Sequence, residues 1–444
     1  MNSGIDVLLI YPYFHHEPFW RKLWLFPPLG LGYLAGTLRE NGFSVSILDG
    51  TFMRPEALIK RAKELSPKIV GIYCMVTMRD DAIMLARALR NAKKPHLVAG
   101  GPFPTSSPHL FLNDFDAVVL GEGEVTMLEL VKKYLVGENI SGMEGLALKG
   151  ILPVKKEYIE NLDAIQHPAR ELFENEKYMH YWKRKFGYTC APLITTRGCP
   201  YNCDYCARPV FGNRYRERGV MDIIKEIEEV LKQGYESVWF SDDVFTLNKE
   251  RILSLCDEIL KRKLAFSWSC LCRVDNVDDD LLMRMHEAGC RRVLFGIESG
   301  DNEVMKMMGK SFTAEDAKKA VDMAKDAGIE VGTFFMVGYP GETEETILRT
   351  LRFSSGLPSD YLSYTLPYPL PGTLLYERLS NKLTKKEWKM AGHNLLMFRG
   401  DFSQAKLRFA VYKGMVQHRL RKYGFAGIAN VFENITDKVF RMLG

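Results

Sequence analysis

Short runs of apolar, often β-branched residues alternate with segments whose apolar positions recur every three or four residues, and this repeats along most of the 444-residue chain. The run at 5–11 is apolar and branched, as strands buried in a parallel sheet are, and 44–48, 69–74, 96–99 and 117–120 also read as strands. Between them, 29–41, 55–65, 82–91 and 126–135 have helical periodicity, the first closed by Gly42. Strand and helix in strict turn predict βαβ units and an open parallel sheet, so residues 1–141 read as a Rossmann-like domain. Over 142–188 the periodicity lapses, Pro153 and Pro168 interrupt the chain, and a charged run, ELFENEKYMHYWKRK, follows; this reads as a linker. From 189 to 373 the alternation resumes, with strands expected at 193–196, 237–241, 266–271, 292–295, 331–337 and 361–366. Helices are expected at 221–232, 249–263, 279–288, 314–327 and 343–354. Six such units are too few to close an eight-stranded barrel and predict an open (β/α)6 partial barrel. Residues 374–444 read as a helical domain, so the fold class is α/β with a helical C-terminal addition.

Composition narrows this picture. Hydrophobic residues at 46% and charged residues at 26% are those of a soluble globular protein. A net charge of +5, spread along the chain, gives no footprint for nucleic acid. Nine irregularly spaced cysteines, behind an N-terminus with no basic run before its short apolar stretch, suit a reducing, cytoplasmic compartment. No segment reaches the ~18 to 20 apolar residues that a membrane span requires.

The chemistry concentrates at 193–209, LITTRGCPYNCDYCARP. Residues 193–196 read as a strand that Gly198, Pro200 and Asn202 cannot continue, so Cys199, Cys203 and Cys206 fall on the loop at its C-terminal end. Parallel sheets place their chemistry at that edge. Three thiolates at C-x3-C-x2-C spacing can bind three irons of a cubane [4Fe-4S] cluster and leave the fourth open. Structural zinc would need a fourth ligand, commonly from a second C-x2-C pair, and no such pair with a flanking His lies nearby. Cys270 and Cys272 alternate with Trp268 on an expected strand and read as core; Cys74, Cys190, Cys256 and Cys290 are scattered and read as structural.

The other strand ends of the second domain carry polar residues: Asp242 and Asp243, Arg273, Glu298 and Ser299 in GIESG, and Gly338 in VGYPGET. Those of the first carry small residues instead: Pro28, Leu29 and Gly30; Met75, Val76 and Thr77; Gly100, Gly101 and Pro102; Gly121, Glu122 and Gly123. No G-x-G-x-x-G follows the first strand, which speaks against a dinucleotide, but glycines at a sheet edge let backbone approach a large ligand closely. The aromatics Phe14, Phe19, Trp20, Trp24 and Phe26 suit either a cover for such a ligand or a docking surface between domains.

The C-x3-C-x-aromatic-C signature, with Tyr205 before Cys206, resembles that of radical S-adenosylmethionine (SAM) enzymes. PPLGLGYLAG, VAGGPFPT and VVLGEGE resemble elements of the cobalamin-binding domain that precedes the radical SAM core in one large subfamily. The resemblance implies a [4Fe-4S] cluster on Cys199, Cys203 and Cys206, with SAM chelating the open iron, and cobalamin in the first domain. It implies SAM contacts from Tyr205, Asp242, Asp243, Arg273, Glu298, Ser299 and Gly338, with Arg273 on the SAM carboxylate. It implies cobalamin contacts from Pro28, Leu29, Met75, Val76, Thr77, Gly100, Gly101, Pro102, Gly121, Glu122 and Gly123. The D-x-H-x-x-G pattern that supplies a lower cobalt ligand elsewhere is absent and His15 and His16 do not fit it, so base-off cobalamin over 75–77 is expected. The activity implied is methyl transfer to an unactivated carbon after hydrogen abstraction, with a flavodoxin- or ferredoxin-type reductant and a substrate that includes peptides or protein side chains. One branch acts on a glutamine of methyl-coenzyme M reductase. A cobalamin-dependent cyclase or oxidoreductase, or a non-catalytic iron-sulfur or corrinoid carrier, are the competing classes.

In the C-terminal region, Lys385, Lys386, Lys389, Lys406, Arg408, Lys413, Arg419, Arg421 and Lys422 read mainly as a solvated face of a helical cap. Val431, Phe432, Ile435, Val439 and Leu443 form a stripe on the last helix that is expected to pack on the body.

Overall fold

The computed structural model describes residues 4–14, 24–90, 94–154, 157–384 and 396–443. These form two compact units. The first comprises Met1–Leu193, Arg197–Cys199 and Arg208–Glu236; the second comprises Ile194–Thr196, Pro200–Ala207 and Ser237–Gly444.

The first unit opens with β1 (Val7–Tyr11), α1 (Leu29–Glu40), β2 (Val45–Asp49), α2 (Pro55–Leu65), β3 (Ile69–Tyr73), α3 (Arg79–Arg90), β4 (His96–Gly100), the short α4 (Pro102–Ser106), β5 (Ala117–Val119) and α5 (Gly123–Val136). Its sheet has the order β2-β1-β3-β4-β5, all parallel, extended by the antiparallel β6 (Leu146–Ala147). Val7 to Ile10 are all buried, as an unbroken apolar run must be when helices cover both faces of a sheet. One face packs Leu31, Ala35 and Leu38 of α1 and Met127, Leu130 and Val131 of α5 against Val7, Leu9, Ile69 and Val98.

The segment expected as a linker holds more order than its lost periodicity suggested. Besides β6 it forms α6 (Asn175–Phe186), whose Tyr178, Tyr181 and Trp182 are buried. The Trp182 indole donates to the carbonyl of Leu25 and its ring lies 5.0 Å from Phe26. Phe26 therefore serves packing, while Phe19 and Trp20 lie outside the described residues. Next come β7 (Cys190–Leu193), the two-residue strands β8 (Thr196–Arg197) and β9 (Arg216–Glu217), and α7 (Val220–Lys232), whose Ile223, Ile224, Ile227 and Val230 form the buried stripe that its sequence predicts.

The second unit continues with β10 (Ser237–Phe240), α8 (Lys249–Lys261), β11 (Ser267–Cys272), α9 (Asp279–Glu287), β12 (Cys290–Glu298), α10 (Asn302–Met307), α11 (Ala314–Asp326), β13 (Glu330–Met336), α12 (Glu344–Gly356) and β14 (Tyr361–Thr365). Within it β10 to β14 are parallel neighbours in chain order, each connected through helix, as in part of a barrel wall. Capping boxes start α11 at Thr313 and Asp316 and α12 at Thr343 and Thr346, which satisfies amides the first turn leaves open.

Three helices follow, α13 (Leu374–Leu379), α14 (Gln404–Lys422) and α15 (Ala426–Met442). Here the expected solvated face holds for Arg408, Arg419 and Lys422, which are exposed, but not for Lys406 and Lys413. Lys413 is fully buried, 2.7 Å from Asp437 and 3.0 Å from Gln417, and Lys406 is buried against Glu344. Arg421 bonds Glu433 at 2.8 Å and Arg352 of α12 bonds Asp437 at 2.6 Å. Lys385, Lys386 and Lys389 lie outside the described residues. The expectation for the last helix is also reversed. Val431 and Ile435 are each 59% exposed and Val439 is 39% exposed, while Ala429, Thr436 and Phe440 turn inward.

Among the described residues no helix is long and apolar enough to cross a membrane.

Candidate functional site

The carboxyl ends of the first unit's strands form an edge built of backbone. At the start of α1, Pro28 and Leu29 are buried while Gly30 is exposed, and a side chain added at Gly30 would meet nothing within 4 Å. Pro28 caps α1 without a side-chain hydrogen bond, so the first-turn amides have no side-chain acceptor there. After β3, Met75 and Val76 are half-buried and Thr77 is exposed at a single 3-10 turn. After β4, Gly101 sits at φ +103°, where a Cβ would come within 2.9 Å of the Tyr73 ring. Gly100 is open, with its nearest neighbour 4.0 Å from a built Cβ. After β5, Gly121 takes φ +65° and donates its amide to Thr105 of α4 at 3.1 Å, which ties the β4 and β5 loops together. An edge on which Gly30 and Gly100 leave space beside the backbone fits a broad, flat ligand met by backbone.

Glu122 departs from its expected role. It is buried, and its carboxylate accepts from Arg197 at 2.8 Å, Arg216 at 2.7 Å and the amide of Ile159 at 2.9 Å, so most of its acceptor capacity is spent within the protein.

None of the nine cysteines is in a disulfide. Cys199 is buried, Cys203 half-buried and Cys206 exposed. Among the described residues no group of three or more His, Cys, Asp or Glu side chains is gathered as metal ligands are. The donor set itself, soft thiols on one loop, fits an iron-sulfur cluster.

The loop is held from within. The amide of Cys206 donates to the carbonyl of Cys203 at 3.2 Å, and Asp204 is pinned through its backbone to Met308 at 3.2 Å and Leu375 at 3.0 Å. The Asp204 side chain accepts from the Tyr339 hydroxyl and pairs with Arg378 at 3.1 Å. Burial, with Asp204 beside it, raises the Tyr339 phenol well above its ordinary range.

The expected SAM residues divide into two groups. Asp242 is 1% exposed, and its carboxylate accepts the amides of Thr195 at 2.6 Å and Thr196 at 3.0 Å, as well as the Thr195 hydroxyl. Burial raises its pKa, opposed by Arg251 and these hydrogen bonds. It anchors the strand leading to the cysteines, whereas its neighbour Asp243 is exposed. Ser299, also buried, bonds Thr350 at 2.9 Å and accepts the amide of Asp301 at 3.1 Å. Gly338, at φ +82°, donates its amide to the buried Glu342 at 2.7 Å. Burial pushes Glu342 up to about 8, and its Oε1 has no hydrogen-bond partner.

The other group lies nearer the cysteines. Glu298 ends β12 at a register shift and is non-glycine at φ 76°, a conformation that costs of order 1–3 kcal/mol and clusters at functional sites. Lys310 stands 3.6 Å from its carboxylate and donates to the carbonyl of Gly296 at 2.9 Å. Burial and the adjacent Glu298 push the Tyr205 hydroxyl well above its ordinary value. Arg273 lies 3.5 Å over the Tyr201 ring, and its Nη1 is 4.0 Å from the Cys203 sulfur. Its other nitrogens are committed to Asp275, at 2.9 Å twice, and to Ser311 at 2.9 Å, so the fork expected to grip a ligand carboxylate already grips one of its own. Lys310, Asp275 and Tyr339 were missed in the sequence: each is one polar residue among many, and only the fold selects it. Asp204, inside the motif, was open to notice.

Residues 193–354 match the radical SAM superfamily and residues 25–131 match the B12-binding domain. An uncharacterized methyltransferase of Pyrococcus horikoshii is 35% identical over 82% of this chain and 81% of its own. The anaerobic magnesium-protoporphyrin IX monomethyl ester cyclase of Rubrivivax gelatinosus is 30% identical over 80% and 67%. The radical SAM methyltransferase TsrM of Kitasatospora setae, solved with cobalamin and a [4Fe-4S] cluster, superimposes with a TM-score of 0.73 at 22% identity, over 85% of this chain and 78% of that one. At that identity the superposition speaks for the fold alone.

Proposed function

We propose that this chain, which belongs to the cobalamin-binding radical SAM enzymes, is a methyltransferase acting at an unactivated carbon. Its cofactors are a [4Fe-4S] cluster, SAM and cobalamin, and enzymes of this superfamily need an external reductant. When bound, the cofactors supply a 5′-deoxyadenosyl radical for hydrogen abstraction and a methyl group for transfer, chemistry beyond any side chain. The observation that carries the reading is the pairing, in one chain, of a glycine-built sheet edge with a three-cysteine loop, in a sequence whose 35%-identical relative bears a methyltransferase name.

In this reading Cys199, Cys203 and Cys206 ligate the cluster. Glu298, held in its strained turn beside Lys310, accepts from the SAM ammonium or ribose. Tyr205 packs its half-buried ring against the apolar cluster that holds Val304, Met308 and Tyr339, and Asp243 is exposed. Arg273, itself held by Asp275 and Ser311, acts by bracing the cysteine loop at Tyr201 rather than by clamping a carboxylate, and Asp242 and Ser299 set the strand ends from inside. Gly30, Met75, Val76, Thr77, Gly100, Gly101, Pro102, Gly121 and Gly123 seat cobalamin through backbone. The protein's task is to place the reacting groups around one substrate carbon and keep water out. The substrate class we favour includes peptide or protein side chains, of which the glutamine of methyl-coenzyme M reductase is one candidate for an anaerobic screen. A ferredoxin- or flavodoxin-type protein would supply the electron.

The second reading is a cyclase, favoured by the 30%-identical relative of that name. By-products separate the two. A methyltransferase releases S-adenosylhomocysteine and 5′-deoxyadenosine in about equal amounts per methylated product, because one SAM gives up its methyl and another its adenosyl group. Turnover with 5′-deoxyadenosine and no S-adenosylhomocysteine would sink the methyltransferase reading and promote the cyclase.

A further inference from the structure

Within the first unit, the loop after β5 and the residues that lead into Cys199 share a sealed charge network. Arg197, 3% exposed, donates one guanidinium nitrogen to Glu122 at 2.8 Å and another to Glu124 at 2.6 Å. Glu122 takes a second arginine, Arg216 at 2.7 Å, so two carboxylates face two guanidinium groups with no charge left over. The Arg197 guanidinium is flanked by the rings of Tyr33, 5.5 Å away, and Phe211, 5.0 Å away. Arg216 is bound in turn to the carbonyls of Ile159 at 2.8 Å and Phe211 at 3.1 Å.

This network lies between two motifs that sequence alone leaves 75 residues apart. Glu122 stands between Gly121 and Gly123, so its carboxylate moves with the backbone of that loop. Arg197 is followed by Gly198 at φ +84°, where a Cβ would lie 2.2 Å from the carbonyl oxygen of Arg214, so that turn has no slack. Cys199 comes next, with its amide bonded to Gly212 at 3.3 Å. A planar guanidinium that bridges two buried carboxylates, one nitrogen to each, has little freedom to reorient, and a shift of the loop reaches Cys199 through two residues.

We infer that Glu122, Glu124, Arg197 and Arg216 are positioning residues that couple occupancy of the cobalamin loop to the setting of the first cluster cysteine. The inference rests on the reading of residues 121–123 as cobalamin-binding and of Cys199 as a cluster ligand. Coupling of this kind is reciprocal: whatever factor cobalamin adds to retention of the cluster, the cluster adds to the affinity for cobalamin.

The test measures the Kd of hydroxocobalamin for the full chain with and without its reconstituted cluster, under anaerobic conditions. For the wild type we expect affinity about tenfold tighter with the cluster present. In Arg197→Lys and, separately, in Glu124→Gln, which leaves the Arg197–Glu122 arm intact, the ratio should fall toward one while each form still binds hydroxocobalamin. A network that only stabilised the fold would lower thermal stability and leave the ratio unchanged, and that result would overturn the inference. A wild-type ratio of one would overturn it alone; a wild type that took up neither group would overturn the cofactor assignment and the inference with it.

Discussion

The two units present their ligand edges in opposite chemical styles. The first offers glycine backbone and small apolar residues, and the acids that follow its β5, Glu122 and Glu124, are consumed by Arg197 and Arg216. The second offers charged side chains, of which some are spent internally, as with Asp242, and others stand beside the cysteines, as with Glu298 and Lys310. A wide ligand is recognised by shape, which backbone supplies without desolvating a charge; a small zwitterion is recognised by point charges, which must be held and paired. In the proposed reading, the same kind of sheet edge would serve two ligand classes by exchanging glycine for carboxylate.

The largest expected effect is in the cysteine loop. Replacing Cys199, Cys203 and Cys206 together with Ala should abolish the charge-transfer absorption of the reconstituted protein and all 5′-deoxyadenosine formation. Activity retained by that variant would end the radical SAM reading. On the backbone-built edge, Gly30→Leu should weaken hydroxocobalamin binding by about tenfold or more, or ~1.4 kcal/mol. Because nothing lies within 4 Å of its built Cβ, and Leu favours a helix over Gly by up to about 1 kcal/mol, Tm should hold or rise. Unchanged affinity would show that the edge is not where cobalamin sits.

On the charged edge two carboxylates should behave differently. Glu298→Gln should weaken SAM binding by about tenfold with little change in Tm, as the loss of one charge-assisted hydrogen bond of about 1.5–3 kcal/mol would. Asp242→Asn should lower stability by about 1–3 kcal/mol, since it unbalances buried amides and a hydroxyl, and should affect SAM only through that loss. Reversal of the pair would reverse our division of the site.

The smallest effect is pH dependence. Glu342 titrates near 8 in the fold but near 4.5 when unfolded, so the native state holds the proton longer. The stability linked to it is complete below about pH 4.5 and is lost as pH rises toward 8, at no more than about 1.4 kcal/mol per pH unit. Glu342→Gln should flatten that part of a Tm-against-pH curve; a slope that persisted would place the proton elsewhere.

Much of this protein was legible before folding. Apolar runs such as VLLIY and the periodic stripe of residues 220–232 determined strands and helices, because burial on two faces or on one leaves a period in the sequence. The cysteine spacing pointed to a cluster loop, because C-x3-C-x2-C puts three thiols within reach of one cubane. What the tertiary structure alone decided was the use of each charge. Asp242 and Asp243 are adjacent and chemically identical, and only the path of the loop after β10 turns one inward to Thr195. Glu122 looked like a ligand contact until Arg197 arrived from the far side of the sequence. Lys406 and Lys413 looked solvated until the acids of α12 and α15 closed over them. Hydrophobic burial is written locally, in periodicity; the pairing of buried charges depends on which distant partner the fold delivers, and no local pattern records it.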